Sequence, residues 1–248
     1  MHPVICSIGP FTIYSYGLMV ALAFLAGVTM AQFLAKKRGL NTDFIYNLCF
    51  LGLLTGIIGA RILYVIEHFD LFRAHFLEII MLQHGGLSWF GGLSVGFISA
   101  LVYIKHKKQA LGPILDCLAP ALALAHAIGR IGCFLNGCCF GKESSYGILF
   151  PGHAKPLIPT QLYSAGILLI VCGILLYLQS KPHRPGRIFC IYVLLYSAKR
   201  FCIEFWRGDN YPFFMGLTLF QTMSLVFFIG AVIWFWRDMY AARIQNGR

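Results

Sequence analysis

Seven apolar runs, at residues 11–35, 44–66, 85–104, 113–128, 159–178, 188–205 and 217–236, divide this chain from end to end. A bilayer core of about 30 Å is crossed by roughly 20 apolar residues in helical form, so runs of this length restrict the chain to a few architectures. The fourth run is short and carries Asp116 and His126. The sixth carries Lys199, Arg200 and Glu204, which leaves the first, third, fifth and seventh as the least interrupted. Only 12% of residues are charged and the mean hydropathy is +0.74, whereas soluble domains run near about a quarter charged. The sequence therefore predicts an all-α polytopic membrane protein. It has about seven transmembrane helices in one domain over residues 1–248, with a small cap of loops. A disordered chain, a collagen-like repeat and a secreted disulfide scaffold are excluded.

The basic residues orient these helices. The net charge is +11, from 20 Lys and Arg against nine Asp and Glu. Lys36, Lys37 and Arg38 follow the first run, Lys105, Lys107 and Lys108 the third, Lys181, Arg184 and Arg187 the fifth, and Arg237, Arg243 and Arg248 the seventh. That places 12 of the 20 basic residues on one side. By the positive-inside rule this side is cytoplasmic, with the N-terminus outside and the C-terminus inside. The same bias accounts for the excess charge without a nucleic-acid partner. The first run is not a cleavable signal peptide, because its basic residues follow rather than precede it. Most of the nine cysteines, among them Cys49, Cys172 and Cys190, lie inside apolar runs and behave as small hydrophobes.

In this topology the costly side chains meet at one level. Arg61, Arg130 and Arg200 fall near the outer ends of outward-running spans, and Tyr16, His84, Ser88, Gln161 and Tyr163 reach the same level from inward-running ones. Tyr196, Arg200, Glu204 and Arg207 follow a helical stripe of i, i+4, i+8 and i+11. A charge at mid-bilayer costs about 2.5 to 3.5 kcal/mol on insertion scales, so such a set predicts a polar cavity opening to the outer half of the membrane. Arg61 has a second reading as a side chain that snorkels to the headgroups. Asp116 and His126 are expected to be satisfied by helix partners. Residues 127–147, AIGRIGCFLNGCCFGKESSYG, read as a glycine-rich loop in which Arg130 and Asn136 offer donors to an anionic headgroup, or alternatively as helix-packing glycines.

At these residues the chain resembles the prolipoprotein diacylglyceryl transferase family. The resemblance is carried by GPFTIYSYGLMVAL from Gly9, GARILYV from Gly59, GGLSWFGGL from Gly85, GRIGCFLNGCCFG from Gly129, PTQLY from Pro159, RFCIEFWRGD from Arg200 and LTLFQTMSL from Leu217. It implies seven membrane helices and transfer of diacylglyceryl from phosphatidylglycerol to the lipobox cysteine of prolipoproteins, releasing glycerol phosphate. The implied setting is the bacterial inner membrane with the site towards the periplasm. The implied partners are phosphatidylglycerol, a prolipoprotein signal peptide and the bilayer, with no cofactor. Residue by residue, the resemblance makes Arg130 the phosphate-binding arginine and Arg200 the essential arginine of the sixth helix. Tyr196, Glu204 and Arg207 match the functional residues around it, Tyr16 the tyrosine of the first helix, and Asn136 and Gly141 loop positions. Arg61, Gln161 and Tyr163 join the candidate lipid-binding set. Three departures stand out: Phe90 where the family has a histidine, Cys133 and Cys138 where it has Asn and Glu, and Ile158 and Ser164 at the two ends of the PTQLY motif.

The implied reaction needs a held phosphate and an ionised thiol. With Phe90 in the histidine position, His84 is the nearest imidazole and the candidate base. The alternative is that the arginines lower the pKa of the acceptor thiol. Cys133, Cys138 and Cys139 lack the second pair or histidine of a zinc pattern, so no metal is expected. They are read either as a loop disulfide in an oxidising compartment or as buried small residues. The alternative function is a membrane binding or transport protein for an anionic lipid or solute. A thiol oxidoreductase built on the cysteine trio ranks last, since it lacks a spaced CxxC.

Overall fold

The computed structural model describes residues 3–8, 11–73, 76–81, 85–208 and 210–246. Two short strands, β1 (Val4–Ile8) and β2 (Phe11–Tyr14), form an antiparallel hairpin that leads into helix α1 (Ser15–Lys37). The helices α2 (Thr42–Glu67), α3 (Phe69–Phe72), α4 (Trp89–His106) and α5 (Leu111–Asn136) follow, with a 3₁₀ turn at Phe76–Ile79. After β3 (Glu143–Ile148) come α6 (Thr160–Gln179), α7 (Arg187–Glu204), the hairpin of β4 (Pro212–Phe214) and β5 (Leu217–Thr218), and α8 (Leu219–Asn246). Five of these helices, α1, α2, α5, α6 and α8, are long and apolar enough to cross a membrane. Leu25, Ile170, Phe227 and Ile233 on them are exposed, as lipid-facing side chains would be. The chain divides into two compact units, Gln32–Leu111 and the combination of Met1–Ala31 with Gly112–Arg248.

In the smaller unit α2 and α4 pack antiparallel through glycine. Gly52 and Gly56 on α2 and Gly92 and Gly96 on α4 each form a GxxxG pair, a spacing that lets helix backbones approach closely in lipid. A Cβ on Gly92 would stand 3.2 Å from the Gly56 carbonyl oxygen, and one on Gly96 3.1 Å from that of Gly52. Within this seam Thr55 Oγ1 and Ser99 Oγ share a hydrogen bond of 2.6 Å. The N-terminus of α2 is capped by Asn41, whose Oδ1 accepts from the amides of Asp43 and Phe44 at 2.8 and 3.0 Å.

In the larger unit Ala119, Ala123, Val171, Cys172, Leu175 and Ile188 make a dry core shared by α5, α6 and α7. Asp116, fully buried on α5, accepts from the amides of Gly186 and Phe189 at 2.8 and 3.0 Å and so caps α7, as the sequence led us to expect of a residue satisfied by a helix partner. Arg184 and Arg187 meet Asp238 of α8 at 3.4 and 3.2 Å.

One boundary differs from the sequence reading. Residues 127–136, read there as part of a loop, are the last turns of α5. Glycine signals a turn when it supplies positive φ, but Gly129 and Gly132 are helical here. Gly132 is small because α1 passes over it: a Cβ there would lie 2.8 Å from the Cβ of Met19. The helix ends at Gly137, whose φ is +75°.

Candidate active site

The extension of α5 carries Arg130, Cys133 and Asn136 on one helix end, beside the C-terminal half of α7 and the first turn of α6. On α7 Arg200 Nη2 lies 3.1 Å from Glu204 Oε2, and both side chains are nearly inaccessible. The i, i+4 spacing that predicted this stripe brings the two onto one face. Glu204 Oε1 accepts from Asn210 Nδ2 at 2.5 Å and from Thr218 Oγ1 at 2.9 Å, so the carboxylate is fixed from beyond its own helix. The Arg200 guanidinium also lies over the ring of Phe220 on α8, 4.4 Å from its centroid.

Further cations crowd this pair. Arg130 and Arg207 act electrostatically on Arg200, and all three act on Lys199. Lys199 is itself buried, donating to Ser164 Oγ at 3.0 Å with its ammonium 4.7 Å from the Tyr196 ring. Tyr196 in turn packs against Tyr192 and His126 at centroid distances of 5.8 and 5.3 Å. Four basic side chains are thus gathered around one salt-bridged carboxylate among the described residues, and such a site favours an anion.

The segment after α5 is held against α6 and the end of α7. Gln161 Nε2 donates to the Cys138 carbonyl at 2.7 Å, and Thr160 Oγ1 to that of Cys139 at 2.8 Å. The Gln161 side chain is buried, and its Oε1 has no hydrogen-bond partner among the described residues. Gly141 bridges to Arg207 and has no room for a side chain: a Cβ would stand 2.6 Å from the Trp206 carbonyl oxygen. Tyr16, at the start of α1, lies within electrostatic reach of Arg130 and of the three thiols that follow it. Hydrogen bonds from Cys133 and Cys138 hold the Cys139 thiol below its ordinary range, and Arg207 and Arg130 act in the same sense.

The chain matches the prolipoprotein diacylglyceryl transferase family over residues 3–237. It belongs to that family. The phosphatidylglycerol–prolipoprotein diacylglyceryl transferase of Clostridium tetani is 37% identical over 217 residues, covering 84% of this chain and 86% of its own length. The enzyme of the same name from Clostridium kluyveri is 35% identical over 243 residues, 94% of each chain. The Clostridium perfringens protein named phosphatidylglycerol–prolipoprotein diacylglyceryl transferase 2 is 32% identical over 255 residues, 100% of this chain and 99% of its own length. With membership in this family and its apolar helices, the chain is a multi-pass membrane transferase.

Most of the residues that the family resemblance singled out lie in one unit. Arg130, Asn136, Gly141, Gln161, Tyr196, Arg200, Glu204, Arg207 and Tyr16 all belong to the larger unit. Tyr163 is on α6 but half exposed, at 51%, two residues from the buried Gln161. Arg61 belongs to the smaller unit, where its guanidinium is consumed by the main chain. Nε donates to Ile79 at 2.8 Å, Nη1 to Gly85 and Gly86 at 2.5 and 2.9 Å, and Nη2 to Met81 at 3.3 Å and to Glu78. A guanidinium has five N–H groups, so none is left for a lipid phosphate. His84 lies outside the described residues. Phe90, in the histidine position, packs edge-on against Trp89 in the first turn of α4. The sequence reading missed Lys199, Thr218 and Asn210. A second cation beside Arg200 in an apolar run was the visible signal for Lys199, whereas no periodicity marks the other two.

Proposed function

We propose that the chain transfers the diacylglyceryl group of phosphatidylglycerol to the lipobox cysteine of prolipoproteins, the first step of lipoprotein maturation, and releases glycerol phosphate. The observation that carries this reading is the cluster of Arg130, Lys199, Arg200 and Arg207, of which Lys199 and Arg200 are buried, in a chain matched to the family over residues 3–237. The acceptor thiolate attacks the glycerol carbon bearing the phosphate ester, the C–O bond breaks, and its electron pair leaves with glycerol phosphate. Charge therefore grows on the phosphate as the reaction proceeds. Arg130 and Arg200 stabilise it with planar forks that donate paired hydrogen bonds. Glu204 acts by aiming Arg200, and Gln161 Oε1, which has no hydrogen-bond partner among the described residues, is an acceptor for a glycerol hydroxyl. Tyr16, Tyr196, Asn136, Gly141, Arg207 and Tyr163 complete the lipid-binding set.

The thiolate is the nucleophile, so the acceptor must lose a proton. The cationic cluster favours that anion directly, and this is the reading we adopt over proton abstraction by His84. The same proposal takes the chain as one domain of seven membrane helices in the inner membrane, N-terminus outside and C-terminus cytoplasmic. The positive-inside bias supports this orientation, with the site facing the periplasm. The test is incubation of the purified protein with phosphatidylglycerol and a lipobox peptide. A diacylglyceryl mass on the peptide cysteine with stoichiometric glycerol phosphate is expected. Lipid binding without either product would turn the reading towards a binding or transport protein.

A further inference from the structure

The thiols of Cys133, Cys138 and Cys139 are a cluster that the transfer chemistry leaves unused. Cys133 is on the last turn of α5. The helix stops at Gly137, and the Cys138 amide returns to the Cys133 carbonyl at 3.1 Å. Cys139 then takes a φ of +64°, a left-handed conformation that residues with a Cβ seldom adopt. Thr160 and Gln161 hold that turn through the two carbonyls of Cys139 and Cys138. The result is that all three Sγ atoms lie within 4.8 Å of one another, each on a half-buried residue. All three are free thiols.

Three sulfurs bound to one zinc ion at about 2.3 Å stand roughly 3.8 Å apart, a small inward turn from this arrangement. A disulfide would draw two of them to about 2.05 Å and leave the third over. Spacing along the chain argued against zinc because it shows no second cysteine pair. The fold answers that objection, since zinc sites that keep an open position use three protein ligands and the turn brings three thiols together. Thiolates select soft ions, and Arg130 and Arg207, within electrostatic reach of Cys139, offset the negative charge of three of them.

We propose that Cys133, Cys138 and Cys139 form a three-thiolate zinc site whose fourth position takes the acceptor thiol. The second half rests on the transferase reading. On binding the ion, whose charge adds to that of the arginines already favouring the anion, the acceptor S–H releases its proton to water, because a coordinated thiol is deprotonated outright. The S–C bond then forms as the C–O bond to phosphate breaks, and the bonding pair leaves on glycerol phosphate.

The test begins with the full chain purified in detergent without chelator, its zinc content measured, and the zinc exchanged for cobalt. About one ion per chain and an intense thiolate-to-cobalt absorption are expected. Both should be lost in the triple Cys133→Ser, Cys138→Ser, Cys139→Ser variant and kept in Cys202→Ser. Wild-type protein without the thiolate band, a triple variant that still binds the ion, or mass evidence that two of the three are joined in the membrane-derived protein would overturn the site. The wild-type cobalt spectrum keeps the test decisive if the triple variant fails to fold. A lipobox peptide should then shift the cobalt bands and its serine analogue should not. Equal spectra with both peptides would overturn the acceptor role. A chain that binds zinc but makes no diacylglyceryl peptide would retain the site and reject the transferase reading on which its second half stands.

Discussion

Arg61 and Arg200 are both buried arginines in apolar helices, and they do opposite things. Arg61 spends every N–H on the main-chain carbonyls of Glu78, Ile79, Met81, Gly85 and Gly86, with Phe72 5.3 Å from its guanidinium carbon. It ties the segment after α3 to α2 through main-chain carbonyls. Arg200 is held by one carboxylate and one aromatic face and is surrounded by like charge, which favours an incoming anion. Burial of a charge thus indicates cost, and only the inventory of its partners shows whether that cost secures a loop or prepares a site.

The largest effect expected from this contrast is on turnover. Arg200→Ala should lower the rate per folded molecule by about 10² to 10³, the range seen when one donor to a developing oxyanion is removed. Arg61→Ala should leave that rate nearly unchanged while lowering yield and thermal stability, because five main-chain carbonyls lose a charged donor worth about 1.5 to 3 kcal/mol per bond. Turnover measured against the monodisperse fraction of each variant checks both. A comparable fall per folded molecule in Arg61→Ala would abolish the distinction.

Next in size is Arg130→Lys, which keeps charge and discards the fork. A lost charge-assisted hydrogen bond is worth about 1.5 to 3 kcal/mol, or roughly tenfold or more in rate. Near-normal turnover at equal protein level would show that charge alone suffices. Smaller still is Thr218→Val, which removes one of the two hydrogen bonds to Glu204 Oε1 and leaves Asn210 in place. A fall of about threefold to tenfold is expected from a bond to a charged group, with recovery in Thr218→Ser. Loss of activity in the serine variant as well would assign Thr218 to packing rather than to aiming the Glu204 and Arg200 pair.

Much of this was legible in the sequence, for physical reasons that also explain the rest. The seven apolar runs fall on the helices α1, α2, α4, α5, α6, α7 and α8, of which α1, α2, α5, α6 and α8 are long and apolar enough to cross a membrane, since apolar length is recorded locally. The stripe of Tyr196, Arg200 and Glu204 was legible because helix period fixes a face. The end of α5 was misread because glycine marks turns and close packing alike, and only the passage of Met19 over Gly132 separates the two. The partners of Arg61 lie 17 to 25 residues downstream in an irregular segment, where no period exists to read. The convergence of three thiols depends on the φ of Cys139, which spacing does not encode.

The smallest effect is expected at His84, the imidazole nearest the position where Phe90 replaces the family's histidine. A thiol needs a base only if its anion is otherwise unfavourable. Thiols beside cations have pKa values lowered from about 8.5 towards about 3.5 to 7.5. Arg130, Lys199, Arg200 and Arg207 supply such surroundings. His84→Gln should therefore change turnover by much less than tenfold. Its pH profile should rise with the ionisation of the acceptor thiol, as in the unaltered protein, because a depressed thiol pKa makes thiolate available above that pKa and removes it below. General base catalysis by His84 would instead give the unaltered protein a break near the imidazole pKa of about 6.5, absent from the variant. A tenfold loss in His84→Gln with lipid binding intact would assign proton removal to that histidine and reduce the arginines to holders of phosphate.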